Sequence, residues 1–263
     1  MTDTETEAHS GLDGRMSLME HLVELRTRLI RCAIAVAIGA AIGWIVYLPV
    51  RHFLMGPLRK ISDNPQIADE FISFEPLEQF MLRVKMSGYM GIAIAMPFLL
   101  YQLWKFIAPG LYQNERRYAG AFVGSATILF VLGAGIAYWT LPAAMEFLTS
   151  VGGSDVRYQY TAEAYLMLII YMMVAFGIGF QFPILLVFLQ ILGLITPKQL
   201  ASFRRFAIVI IFVMAAVITP SGDPISLFAL SAPMVLFYEL SIIFGRLLGR
   251  RRAKAAAAID DDD

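Results

Sequence analysis

The stretch Tyr101-Gln102-Leu103-Trp104-Lys105-Phe106-Ile107-Ala108-Pro109-Gly110-Leu111-Tyr112-Gln113-Asn114-Glu115-Arg116-Arg117 joins two runs, 86–104 and 118–145, that contain no Asp, Glu, Lys or Arg. Each run exceeds the ~18 residues that a helix needs to cross hydrocarbon. A polar cluster bracketed in this way reads as a short structured loop at a membrane surface. It carries a single carboxylate, Glu115, between an aromatic group and two arginines. The pattern predicts an all-α polytopic membrane protein and marks the loop as a candidate recognition site.

Working outward, 32–50 and 164–197 are also free of charge, and 206–222 is uncharged with its apolar part ending at Ile218. Thr219-Pro220-Ser221-Gly222-Asp223-Pro224 then reads as a turn, and 225–244 is apolar apart from Glu239. Six spans follow, at about 32–50, 76–104, 118–148, 161–193, 205–218 and 224–245, the last two forming a hairpin with a tight outer turn. At ~1.5 Å per residue, the 34 residues of 164–197 could cover about 51 Å, whereas 206–218 covers only about 20 Å. The fourth span must therefore tilt, bend or protrude, and the fifth must be shielded by neighbours or sit in thinned lipid. Prolines 97, 142, 183 and 233 fall near or inside spans, where kinks rather than breaks are expected.

Composition agrees, with 58% hydrophobic and 16% charged residues, well away from the balance of a soluble domain. Net charge is zero, so nothing in it points to nucleic acid. Lys and Arg are unevenly distributed. Fifteen fall in the N-terminal segment, the 105–117 loop, the 198–205 loop and the C-terminal tail, against four (Arg51, Arg59, Lys60, Arg157) on the opposite side. The positive-inside rule then assigns both termini and the cluster to the cytoplasm. Residues 1–15 are polar and acidic, unlike a cleavable signal peptide, and read with 248–263 as flexible tails.

Between the tail and the first span, Ser17-Leu18-Met19-Glu20 fits a capping box. Leu18, Leu22, Leu25 and Leu29 form one stripe, and Glu20, Glu24, Arg28 and Arg31 another, which predicts an amphipathic surface helix over 17–31. Taken alone, Glu24 with Arg28 is an ordinary i,i+4 pair, and Glu115 beside two arginines is a solvated loop charge. Gln181 lies mid-run in span four, where an amide needs partners, so it should face a protein groove; it joins either two helices of this bundle or a partner helix. Glu239 makes a similar, weaker claim by its depth in the last span. Glu75, Glu78 and Glu163 read as helix caps, as does Asp223 in the outer turn.

Nothing in the sequence supports catalysis or a cofactor. There is no phosphate-binding Gly-rich loop and no cysteine pair, Cys32 being the single cysteine, and His9, His21 and His52 lack metal-ligand spacing. A small-molecule secondary transporter is the rival class, with Gln181 and Glu239 as midplane binding groups. Against it stand the absence of a repeat between the halves and the cluster's position at a surface instead of the midplane.

Several segments resemble the signatures of TatC, the multispanning receptor subunit of the twin-arginine protein translocase. They are His21-Leu22-Val23-Glu24-Leu25-Arg26-Thr27-Arg28-Leu29, Pro97 with the 101–116 cluster, Phe176-Gly177…Phe180-Gln181…Pro183, Thr219-Pro220…Asp223, and Pro233…Tyr238-Glu239. The resemblance runs in order from about residue 16 to 247. It implies a non-enzymatic docking platform in the bacterial cytoplasmic membrane that receives the paired arginines of signal peptides on folded cargo. Glu115 is the implied principal acceptor, Glu24 the second, with Arg26, Tyr101, Pro109 and Arg116 in the same site and Trp104 helping to shape it. Gln181 and Glu239 become candidates for docking a partner helix, and Pro97, Pro220 and Asp223 structural turn residues. Many members carry a glutamate where this chain has Gln181. The implied partners are the single-span TatA and TatB proteins, in an oligomeric TatB–TatC complex driven by the proton gradient.

Overall fold

A computed structural model describes residues 18–61, 76–107, 119–151 and 161–260. Among these residues the fold is helical, without strands. Among the described residues, five helices are long and apolar enough to cross a membrane. Ser17 of the capping box, Glu75, Pro109, Glu115, Arg116 and the N-terminal tail lie outside the described residues.

Helix α1 (Leu18–Ile45) runs through the amphipathic stripe and the first apolar run without interruption. Its length is about 42 Å at ~1.5 Å per residue, enough to cross a bilayer and extend beyond it. Its outward face is apolar from Ile34 to Ile45, consistent with a lipid-facing surface, whereas Glu20, Arg26 and Arg31 are exposed in the part before it. Its principal partner is α4 (Pro76–Ile107), which runs antiparallel to it and contains Pro97 without a break. The two touch through backbone: a Cβ on Gly39 would lie 2.7 Å from Gly91 O, and one on Gly91 would lie 2.7 Å from both Val36 O and Ala40 N. Small residues allow this approach, and dispersion between the closely packed backbones holds the seam where lipid offers no hydrophobic drive.

Two short helices, α2 (Tyr47–Leu54) and α3 (Gly56–Ile61), follow α1 and close one end of the bundle. Tyr165 fastens them: its buried hydroxyl donates to Leu54 O at 3.0 Å and accepts from Leu58 N at 3.1 Å. Tyr138 does the same at Phe53 O, 3.0 Å away, and its ring stacks on Phe53 at 4.6 Å. Sequence periodicity did not announce this cap, because it forms where an apolar run leaves the first span and bends.

Helix α5 (Ala119–Val151), with Pro142 inside it, packs on α6 (Ala162–Gly179), the most buried element. Tyr165, Ile169, Met172 and Phe176 of α6 are fully enclosed. The fourth span, Ala162–Ile191, remains one length with a two-residue turn at the place where the kink is expected. α6 ends at Phe180–Gln181 and α7 (Phe182–Ile191) restarts from there. Pro183 explains the interruption: its ring clashes with the carbonyl four residues back and it has no N–H to donate. The backbone tightens locally, with Gln181 N bonded to Ile178 O at 2.9 Å.

After a turn through Gly193, whose φ is 72°, come α8 (Pro197–Ser202) and α9 (Arg204–Ile218). The latter has 15 residues, about 22 Å at ~1.5 Å each, shorter than the hydrocarbon core. Ala207, Ile211 and Ala215 are buried on one of its faces, while Val209, Val213 and Val217 stand exposed on the other. The outer turn uses Gly222 at φ 60°, and Asp223, almost fully buried, caps the last helix by accepting from Ser226 N at 2.7 Å. That helix, α10 (Pro224–Asp260), continues through 248–260, so this part of the expected flexible tail is helical. The run Arg250-Arg251-Arg252-Ala253-Lys254-Ala255-Ala256-Ala257-Ala258 consists of strong helix formers, and backbone propensity outweighs its polarity.

Candidate functional site

The face that carries the start of α1 also receives the end of α4, and the two sets of polar residues meet there. Glu24 Oε1 accepts from Arg28 Nε at 3.0 Å and from Nη2 of the same guanidinium. Arg28 Nη1 reaches across the seam and donates to Gln102 Oε1 at 3.2 Å. Gln102 is buried, and the Arg28 and Glu24 side chains are only 11% and 20% exposed. An i,i+4 pair thus becomes a three-residue network inside a packed crossing.

The network is incomplete at one atom. Glu24 Oε2 is buried and has no hydrogen-bond partner among the described residues. A buried carboxylate oxygen is costly unless a donor meets it. Nearby, His21 stacks on Phe106 with ring centroids 4.5 Å apart, a second tie between α1 and the end of α4. Tyr101 and Arg26 are exposed on this face.

Trp104 is buried against Phe122 of α5 at 4.8 Å and Phe188 of α7 at 5.4 Å. This aromatic trio holds the end of α4 to the start of α5, the two helix ends between which 108–118 is connected. Glu115, Arg116 and Pro109 belong to that connection, outside the described residues.

The other candidates lie apart from this face or beside it. Gln181, in the α6–α7 break, donates from Nε2 to Ala126 O and Gly177 O, each at 3.1 Å. It therefore joins two helices of this bundle, while its Oε1 is buried without a partner among the described residues. Glu239 forms an ion pair with Arg204 at 2.8 Å, tying α10 to the first residue of α9. It is half-exposed and level with the beginning of that helix, not at the depth a midplane group requires.

Two residues of consequence carried no sequence signal strong enough to assign. Gln102 stands inside the opening motif but gained no role, because its partner is 74 residues away. Gln190 is buried and donates to Ser241 O at 3.1 Å, locking α7 to α10. A polar residue in an apolar run was the available clue in both cases.

With this geometry in view, comparison with known proteins is decisive. The family profile "Sec-independent protein translocase protein (TatC)" matches residues 20–233. This chain belongs to the TatC family. A TatC from Aquifex aeolicus is 39% identical over 246 residues, covering 92% of this chain and all of that relative. One from Halothiobacillus neapolitanus is 36% identical over 252 residues, 95% of this chain and 68% of the relative. The crystal structure of a twin-arginine translocase receptor, TatC, superposes with a TM-score of 0.71 at 40% identity, covering 87% of this chain and 99% of that one. The chain is accordingly a multi-pass membrane component of a protein translocase and not an enzyme. Family membership sets the small-molecule transporter aside.

Proposed function

We propose that this chain is the receptor of a twin-arginine translocase in a bacterial cytoplasmic membrane, with both termini and the Glu24 face in the cytoplasm. The excess of Lys and Arg on the segments of that face supports the orientation. Twin-arginine signal peptides of folded cargo dock through Glu115 and Glu24, with Arg26, Tyr101, Pro109 and Arg116 framing the site.

The observation that supports this reading is membership of the TatC family together with the Glu24 carboxylate, fixed by Arg28 on the face where α1 meets the end of α4. Each charge-assisted bond contributes roughly 1.5–3 kcal/mol before the peptide's ordering is subtracted, so selective but moderate affinity is expected. Two adjacent arginines need more than one carboxylate, which is why the loop bearing Glu115 belongs in the same site.

Partner subunits, TatA and TatB, assemble along the spans, and the proton gradient drives export through the complex. The exposed valine face of the short α9 is suited to a single-span partner, and Gln181 Oε1 and Glu239 are the polar groups such a helix could address.

The test is binding of a fluorescent twin-arginine peptide to the purified protein in detergent, beside a Lys-Lys peptide and the variants Glu115→Ala and Glu24→Gln. Binding that weakens in every control supports the receptor reading. Equal binding of both peptides by all three proteins overturns it.

A further inference from the structure

Helices α1 and α4 meet backbone to backbone at Gly39 and Gly91, and the missing side chains leave a trough of about 410 Å³ along one side of their seam. Gly39 and the buried Ala95 form part of its floor. Ile34, Ile38 and Ile42, each about one helical turn from the next, make one wall, and Ile94 with Phe98 makes the other. All five wall residues are at least 40% exposed, so the trough opens outward to the bilayer. From Arg31 to Ile42 it runs about 16 Å at ~1.5 Å per residue, close to half of a ~30 Å hydrocarbon core. The trough is one leaflet deep.

A charge stands at its end. Arg31 is the last charged residue before the uncharged run 32–50, which puts it where hydrocarbon gives way to headgroups. It is exposed, lines the trough, and pairs with no carboxylate among the described residues. Arg28, one turn earlier, is committed to Glu24 and Gln102, whereas the Arg31 guanidinium remains available.

We infer that the trough is a site for one anionic phospholipid of the leaflet on the Glu24 side, with an acyl chain laid between its walls and the phosphate held by Arg31. The site does not depend on which side of the membrane that leaflet faces. An acyl chain gains little by leaving other lipid for an apolar trough, since both are hydrocarbon. Shape therefore fixes where the lipid lies, and charge decides which lipid it is. A guanidinium bonds two phosphate oxygens at once. The phosphate of phosphatidylglycerol arrives with no cation of its own. Phosphatidylethanolamine brings an ammonium that already offsets its phosphate and that Arg31 repels, so it is the poorer occupant.

The experiment titrates the full-length protein in detergent with phosphatidylglycerol and phosphatidylethanolamine of identical chains and counts bound lipid by native mass spectrometry. It is repeated on Arg31→Gln, Ile38→Trp and Lys105→Gln. One phosphatidylglycerol should bind per chain about fivefold more tightly than phosphatidylethanolamine, the effect of one basic group on an anionic lipid. Arg31→Gln should abolish that preference. Ile38→Trp enlarges an exposed wall residue and should weaken binding of both lipids. Lys105→Gln removes an exposed cation near the end of α4, outside the trough, and should change neither the preference nor the affinity. No preference in the unaltered protein, a preference that survives Arg31→Gln, or an equal loss in Lys105→Gln overturns the inference, the last because surface charge would then attract lipid without a seat. If Arg31→Gln fails to fold, Ile38→Trp decides, and unchanged binding there overturns the inference.

Discussion

Replacing Gly91 with alanine tests whether the α1–α4 seam is as close as its backbone contacts indicate. The added Cβ would stand 2.7 Å from Val36 O and from Ala40 N, where ordinary contact begins at 3.4 Å. Because the obstruction is backbone on both sides, no rotamer change relieves it. The seam must open by about 0.7 Å, and overpacking of this kind costs ~1–3 kcal/mol. If α1 moves as a rigid rod, the 3.2 Å bond from Arg28 Nη1 to Gln102 Oε1 lengthens to about 3.9 Å, beyond hydrogen-bonding range. Gly88→Ala on the same helix is the control, since nothing lies within 4 Å of its Cβ position. Both changes remove a glycine from a helix, which by itself favours alanine by ~1 kcal/mol. The difference between the two variants therefore isolates the clash. Thermal unfolding in detergent should show Gly91→Ala melting lower than Gly88→Ala, with ~2–4 °C for each kcal/mol of clash. Equal melting points, or a more stable Gly91→Ala, would refute the close-packed seam and with it the coupling of that seam to the Glu24 network.

Tyr165→Phe removes one hydroxyl that serves both Leu54 O and Leu58 N in a buried site, so the α2–α3 cap should lose about 1–3 kcal/mol and the Leu58 amide should exchange at least roughly tenfold faster. Unaltered protection at Leu58 would show that packing alone holds the cap. Gln181→Glu replaces two donated bonds, to Ala126 O and Gly177 O, with a carboxylate facing two carbonyls; a lowered melting temperature, by a cost of ~1–3 kcal/mol, is expected. An unchanged melting temperature would mean that the amide is not what joins α5 to α6 at this level.

The helical architecture was legible because a bilayer demands long uncharged runs, and those runs are unambiguous in 32–50, 86–104 and 118–145. Where the chain does something a run does not encode, periodicity fell short. The fourth run is continuous in hydropathy, yet Pro183 and the 3₁₀-like bond at Gln181 divide it into two helices. The cap of α2 and α3 is specified by Tyr165 and Tyr138, more than 80 residues further along, and no local window contains that information. At the site, the spacing of Glu24 and Arg28 announced a pair, but burial decides what a pair is for. Nothing in 17–31 says that Gln102 will meet Arg28 across a glycine seam.

Burial also separates stability from function at Glu24. An exposed i,i+4 pair contributes a few tenths of a kcal/mol and needs no explanation. With side chains 11% and 20% exposed, Arg28 and Glu24 have given up most of their water, and a desolvated ion pair is often no better than two apolar side chains of the same size. Gln102 offsets part of that loss at Nη1, while no described residue does so at Oε2. A crossing built only to hold α1 on α4 would be better served by leucine and methionine at these two positions. Under the receptor role proposed above, the charged pair has a reason to be kept that packing alone does not supply.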